Sequence, residues 1–300
     1  MSAIADLAER YWKAFLDANP SYATLIGVHD RDGLLEDLSV EAMASQAQTL
    51  ERILDDLGRA NQTSDPITAA LLANVIEADL TEYETEILIA PVDSYLGVHA
   101  KLIQAAAQIS APDPGAAALI AERYARIPLL FSQTIDRHRR LFSDGKTPAL
   151  VSVHRVIDQI DAYLAMGLDT DPFVGLKLPP GWNGGVSWRQ NMEELVASAI
   201  RPAFAGYRQF LLSEATQVAR SSELPGICHL PDGEATYERL VKRFVTVPRD
   251  PSDVHRIGLA HATEILADEY AEVGSEAFGL SSPEAIFARL RTDTGLRYRS

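Results

Sequence analysis

Apolar residues recur at three- and four-residue intervals along almost the whole chain, and a proline, often preceded by Asp or Ser, punctuates most of the runs. That period places the apolar side chains on one face of successive α-helices. The first stripe is Ile4, Leu7, Ala8, Tyr11 and Phe15. After a loop over 20–38, Ser39 is placed to cap a helix carrying Val40, Met43, Ala47, Leu50, Leu54 and Leu57. Asp65-Pro66 opens the next, with Ala70, Leu71, Asn74, Val75 and Leu80 on its face and Pro91 beyond its end. A helix over 96–109 follows, and another starts at the turn Pro112–Gly115, is kinked by Pro128 and stops at Asp144-Gly145. Pro148 opens a helix to about Met166, and a long one runs from Ser187 to about Ser221 with Pro202 as a kink point. Asp250-Pro251 and Ser282-Pro283 read as caps of the last two.

No run of alternating residues is long enough for a sheet; Ile87–Val92 is the nearest. The expected fold is therefore all-α, a multi-helix assembly with long kinked helices and no substantial sheet. At 47% hydrophobic over 300 residues the chain can bury a large core. It reads as a single helical domain, with the Pro-, Gly- and Trp-containing stretch 169–187 as a candidate subdomain joint.

The formal charge of −15 excludes a nucleic-acid partner as an expectation, because phosphate contacts need clustered cations. The only basic concentrations are Arg137–Arg140 and Arg289–Arg299, and neither forms a stripe. Cys228 is the only cysteine, the N-terminus is charged rather than signal-like, and no apolar run approaches the ~20 residues of a membrane span. A cytoplasmic protein without membrane contact is expected.

Several motifs nearly fit and fail. Gly145-Lys146-Thr147 lacks the earlier glycine of a phosphate-binding loop, where Arg140 stands instead. Asp55-Asp56 lacks a third acid one turn on, where Arg59 stands, so the pair reads as a solvated helix end. Ser187 has no glycine at 189 to make a nucleophile elbow, and Cys228 and His229 are neighbours in sequence, a poor arrangement for a thiolate–imidazole pair, so Cys228 reads as a buried structural cysteine. No two of the seven histidines are four apart. His255 and His261, six apart, lie about 120° apart around a helix, and His261, Glu264 and Asp268 share a face that reads as a surface network. No metal site is expected from these residues.

The stretch Leu230–Gly258 is the most site-like. A Pro-Asp-Gly turn opens a helix and offers backbone N–H groups to a carboxylate, Tyr237 lies one turn in, and His255 lies in the first turn of the next helix. Each residue also has a plain structural role as turn former, packed aromatic or cap.

Leu230-Pro231-Asp232-Gly233-Glu234 with Tyr237, and Val254-His255-Arg256-Ile257-Gly258-Leu259, resemble the bacterial domain-of-unknown-function 885 family. Tyr22-Ala23-Thr24 with Gly27, Leu38-Ser39, Gly145-Lys146-Thr147-Pro148 and the helix from Ser187 to Ser221 extend the resemblance over most of the chain. The family looks like helical zinc metallopeptidases of the gluzincin type, with a zinc motif of the His-Glu-x-x-x-Gly-His-His kind in a second half that has no counterpart here. The resemblance therefore implies an N-terminal half that supplies one wall of a peptide cleft. It implies no cofactor in this chain and zinc in intact relatives. Asp232, Gly233, Tyr237 and His255 are the candidate substrate contacts, and no residue is assigned a catalytic role. The chain alone is expected to be inactive as a peptidase because the zinc motif is absent, and whether it is an enzyme of another kind is left open. The expected partners are a peptide and either the missing C-terminal half or a second copy, meeting an apolar face on the last helices (Ile265, Leu266, Tyr270, Phe278, Ile286, Phe287, Leu290). The alternative is a stand-alone helical module that binds a peptide or protein.

Overall fold

The computed structural model describes residues 3–297, apart from the side chains of Glu264 and Ile265. It is 73% helical with 1% strand and has no sheet or barrel, so the expected class is the observed one. Among the described residues no helix is long and apolar enough to cross a membrane. Two compact units divide between Thr236 and Tyr237.

The first unit holds α1 (Ala3–Ala18), α2 (Pro20–Leu25), α3 (Val40–Arg59), α4 (Pro66–Thr85), α5 (Val98–Gln108), α6 (Pro114–Tyr124), α7 (Ile127–Ser143) and α8 (Leu150–Leu164). A long helix over 185–218 completes it: α9 (Gly185–Leu195), α10 (Arg201–Phe210) and α11 (Thr216–Val218), joined by the wide turns Val196–Ile200 and Leu211–Ala215. Proline has no N–H to give the preceding turn, and the widened ladder before Pro202 absorbs that loss without breaking the rod. Capping follows the sequence at three starts: Ser39 Oγ accepts from the Ala42 amide at 3.2 Å, Asp65 from Thr68 at 3.2 Å and Asp113 from Ala116 at 2.9 Å.

Three details differ from the reading of the sequence. Pro128 does not kink one helix; the chain breaks between α6 and α7, and Pro128 sits in the first turn of α7, where its missing N–H is harmless. Ser282 starts its helix without capping it, its hydroxyl going to Glu284. On α4 the buried apolar positions are Ala69, Leu72 and Ile76, while Ala70 and Leu71 face solvent. The segment Ile67–Ile76 is apolar on nearly every side, so its period does not select a face; packing against α1 and α3 does.

Two cores result. Ile4 and Leu7, Leu50, Ile53 and Leu57, and Ala69, Leu72 and Ile76 bring α1, α3 and α4 together. The larger core gathers α5 to α10 around Phe204, whose ring lies 4.4 Å from Tyr163 and 4.8 Å from Phe131. The stretch 169–187, read as a candidate joint, lies inside this unit and puts Phe173, Val174 and Leu176 into that core. His138 is buried in it, stacked with Phe142, Tyr207 and Phe210, with Nε2 3.1 Å from the Tyr207 hydroxyl.

The second unit contains most of α12 (Gly233–Val245), then α13 (Pro251–Ala260), a wide turn His261–Ile265, α14 (Leu266–Phe278) and α15 (Pro283–Thr292). Gly274 lets α14 and α15 touch, because a Cβ there would lie 2.1 Å from Ile286 Cδ1. Among its described residues, Leu240, Val241 and Ile286 are buried, whereas Phe244, Ile257 and Val273 are more than half exposed. Of the residues expected to form an apolar face, Ile286 is buried and Tyr270, Phe287 and Leu290 are exposed; the side chain of Ile265 lies outside the described residues.

The α4 register predicts that Ile76→Ala costs about 2–5 kcal/mol and Leu71→Ala less than about 0.5 kcal/mol, measured by urea unfolding. The opposite order would restore the face read from the sequence.

Burial, with the nearby charge of Arg137, pushes the His138 imidazole down to about 3 from an ordinary 6.5. A folded-state value below the unfolded one stabilises the protein above pH 6.5, and that contribution is lost as pH falls toward 3. At about 1.4 kcal/mol per unit, pH 5 should cost about 2 kcal/mol relative to pH 7. Buried His99, also lowered by burial, adds in the same direction. Unfolding free energies measured at pH 7 and pH 5 should differ less in His138→Phe than in the parent.

Candidate functional site

α7 ends where Gly145 takes a left-handed φ of +77°. The Lys146 amide reaches back to Leu141 O at 2.9 Å and the Gly145 amide to Phe142 O at 3.0 Å. This paired closure is the reason for Gly145-Lys146: the motif is a helix stop rather than a phosphate loop. The turn is then locked to the segment after the long helix. Arg220 N donates to Pro148 O and Leu150 N to Arg220 O, each at 2.8 Å. The Arg220 guanidinium spreads over the Thr147, Leu224 and Pro225 carbonyls.

That clamp carries the chain into Leu230-Pro231-Asp232-Gly233. One 3-10 turn, Ile227–His229, reverses the backbone, and the Leu230 amide closes on Ile227 O at 2.9 Å. Pro231 then packs on Gly145, where an added Cβ would lie 3.1 Å from Pro231 Cγ. The two turns matched to the family in sequence, 85 residues apart, are thus in contact.

Asp232 holds φ +53°, left-handed backbone that a non-glycine residue adopts at a cost, and its side chain is exposed. Gly233 is buried against the reversed backbone; a Cβ there would lie 1.9 Å from Ile227 O. Its amide is taken by Leu230 O at 3.0 Å, so it is not among the N–H groups the turn can offer a ligand. Tyr237 and His255 are both exposed and belong to the second unit. His255 is the fifth residue of α13, past the first turn in which the sequence placed it.

The other motifs resolve as structure. Asp56 pairs with Arg10 at 2.8 Å and Arg59 at 2.7 Å, a solvated helix-end network. Cys228 is not the buried structural cysteine expected: it is exposed beside His229 in the reversing turn, outside both cores. The shared face of His261, Glu264 and Asp268 falls partly on Glu264, whose side chain is outside the described residues. Zinc, implied by the resemblance for longer relatives, finds no donor set among the described residues: no three His, Cys, Asp or Glu side chains gather there as a metal-binding group. Sequence reading missed Arg220 entirely. A lone arginine between Ala219 and Ser221 carries no motif, and only the fold shows that it grips three carbonyls.

An all-helical protein with an exposed turn clamped onto a helix stop defines an architecture without defining a reaction. The chain belongs to the family described as bacterial protein of unknown function (DUF885), whose profile matches residues 20–300. Among solved structures it is similar to one described as "the putative lipoprotein from Colwellia psychrerythraea", with 16% identity and a TM-score of 0.78. That likeness covers 100% of this chain and 56% of the other, and at such identity it shows the fold alone. This chain thus spans little more than half the length of that neighbour. No match is found among the curated proteins.

Two substitutions separate the roles in the turn. Gly233→Ala forces backbone apart and should cost about 1–3 kcal/mol, with faster amide exchange over residues 227–236. Asp232→Gly relieves the left-handed strain and should leave stability unchanged or raise it by up to about 1 kcal/mol. A large loss of stability in Asp232→Gly would mean that its side chain, not the backbone, holds the turn.

Proposed function

We propose that this chain supplies one wall of a peptide cleft in a larger helical protein of its family, and that the longer relatives are zinc metallopeptidase-like hydrolases. On this reading the chain has no peptidase activity alone. The carrying observation is the turn at Asp232. An exposed residue is kept in strained backbone by a glycine that tolerates no Cβ, a clamp arginine and a packed helix stop. Strain maintained by so many independent supports is a recurrent feature of binding sites. Asp232 is the contact this observation favours; Tyr237 and His255 stand on the family resemblance and their exposure.

A second reading is favoured by the exposed Phe244, Ile257 and Val273 of the second unit: a stand-alone helical module that binds a peptide or a protein through exposed apolar side chains. For location, we keep the cytoplasm on the single cysteine. The neighbour's description as a lipoprotein favours export, and cell fractionation decides between them.

The test combines metal, cleavage and binding. The chain dialysed against zinc should retain less than one equivalent and cleave no peptide. Short labelled peptides should nevertheless bind in the ~μM–mM range by fluorescence anisotropy, and Asp232→Gly should weaken them while remaining folded. Stoichiometric zinc with cleavage overturns the half-site reading, and absence of any peptide binding overturns the cleft.

A further inference from the structure

The helix stop at Gly145 also closes a cluster of cations. α4 ends at Glu86, which takes left-handed backbone with φ +58°. Arg137 reaches it from α7, donating from Nη2 to Glu86 O at 3.1 Å and from Nη1 to Glu86 Oε1 at 3.3 Å and Met43 Sδ at 2.9 Å. Arg140, one turn along α7, donates from Nη2 to the same Oε1 at 2.8 Å. Lys146 reaches Thr85 O from Nζ at 3.2 Å. Asp144 adds a second negative charge on the Arg140 side.

Capping the end of α4 explains one bond from Arg137 and one from Lys146. It does not explain the rest. The Arg137 side chain is 2% exposed, so its charge is almost wholly desolvated, and its Nε has no hydrogen-bond partner. The buried Nε of Arg140 has none either. Both arginines share one oxygen of Glu86, and the Lys146 ammonium donates its hydrogen bond to a neutral carbonyl while the Glu86 charge acts on it from further away. A guanidinium carries five N–H donors and an ammonium three, so most of this donor capacity is unused by the fold. Burying the Arg137 cation without full compensation costs stability, and it sits beside the partly exposed Arg140 and Lys146 in a protein of net charge −15.

We propose that Arg140 and Lys146, over a floor of Arg137 and Glu86, form a binding site for a compact oxyanion, and that the oxyanion is the C-terminal carboxylate of a peptide. The second clause rests on the peptide-cleft reading; the first does not. Position supports the link, because Lys146 directly follows Gly145, on which Pro231 of the Asp232 turn packs. Guanidinium and ammonium groups bind carboxylate and phosphate alike through charge-assisted hydrogen bonds, so free phosphate is the competing source.

The experiment uses the whole chain and has two arms. In the first, inorganic phosphate is titrated against chloride at matched ionic strength while thermal unfolding is followed. The wild type should gain roughly 2–4 °C, saturably. Arg140→Gln combined with Lys146→Gln, folded by circular dichroism, should lose the gain. An equal shift in wild type and variant, or no shift in either, overturns the site. In the second arm the same peptide is compared with a free and an amidated C-terminus. The free acid should bind about tenfold tighter, and Lys146→Gln should erase that preference. Phosphate binding with indifference to amidation retains the oxyanion site and overturns the peptide carboxylate as its ligand. If no peptide binds in either form, the cleft reading and the carboxylate clause fail, and the phosphate arm alone decides the site.

Discussion

The contact on which most of the first unit depends is that of Arg137 with the end of α4. The α1/α3/α4 core and the larger aromatic core bury separate sets of side chains. Arg137 belongs to α7, in the larger core, and its guanidinium touches Met43 on α3 and both the backbone and carboxylate of Glu86 at the end of α4. Burial works to raise the Glu86 carboxyl. The hydrogen bond from Arg140 and the charges of Arg137, Arg140 and Lys146 outweigh it and hold the group below the ordinary glutamate range. The carboxylate therefore stays charged where the cations need it. Removing it would leave desolvated guanidinium facing a carbonyl and a thioether, the expensive way to break a buried pair.

The same region fixes the candidate site. Helix α7 sends Arg137 and Arg140 toward α4, then stops at Gly145, whose missing Cβ accepts Pro231. Arg220 joins the following turn to the end of the long helix. Each support acts on backbone: carbonyls gripped by a guanidinium, amides closed on carbonyls, glycines where a Cβ would collide. Such a site tolerates change in exposed side chains and resists change at Gly145, Arg220 and Gly233. The strain at Asp232 can persist only because these contacts over-determine the turn.

Helices were legible in the sequence because caps and periodicity are local. Ser39, Asp65, Asp113 and Asp250 each bond the amide that the spacing indicates. The face of α4 was not, because an all-round apolar segment lets its neighbours choose the register. Nor was the break at Pro128, since a kink and a fresh helix start need the same residue. The turn at 230–233 was legible as a turn, but its contact with Gly145 links residues far apart in the chain. The run Arg137-His138-Arg139-Arg140 looked like one basic concentration. In the fold, Arg137 and Arg140 face α4, His138 enters the aromatic core and Arg139 pairs with Glu214 at the surface. Helical geometry separates these four neighbours into three environments with different chemistry.

Charge on two length scales shapes what the proposed cleft can admit. At a distance the field is that of an acidic protein and repels anions, although physiological salt limits its reach to about 8 Å. Within hydrogen-bond range of Arg140 and Lys146 the sign reverses. On the peptide reading, a free phosphate must cross the first zone with nothing to offset the repulsion, whereas a peptide with a basic body brings its carboxylate attached to a segment that the acidic surface attracts. Under that proposal the arrangement would discriminate by what the oxyanion is joined to. A single strongly basic patch would bind every small anion and would lose that distinction.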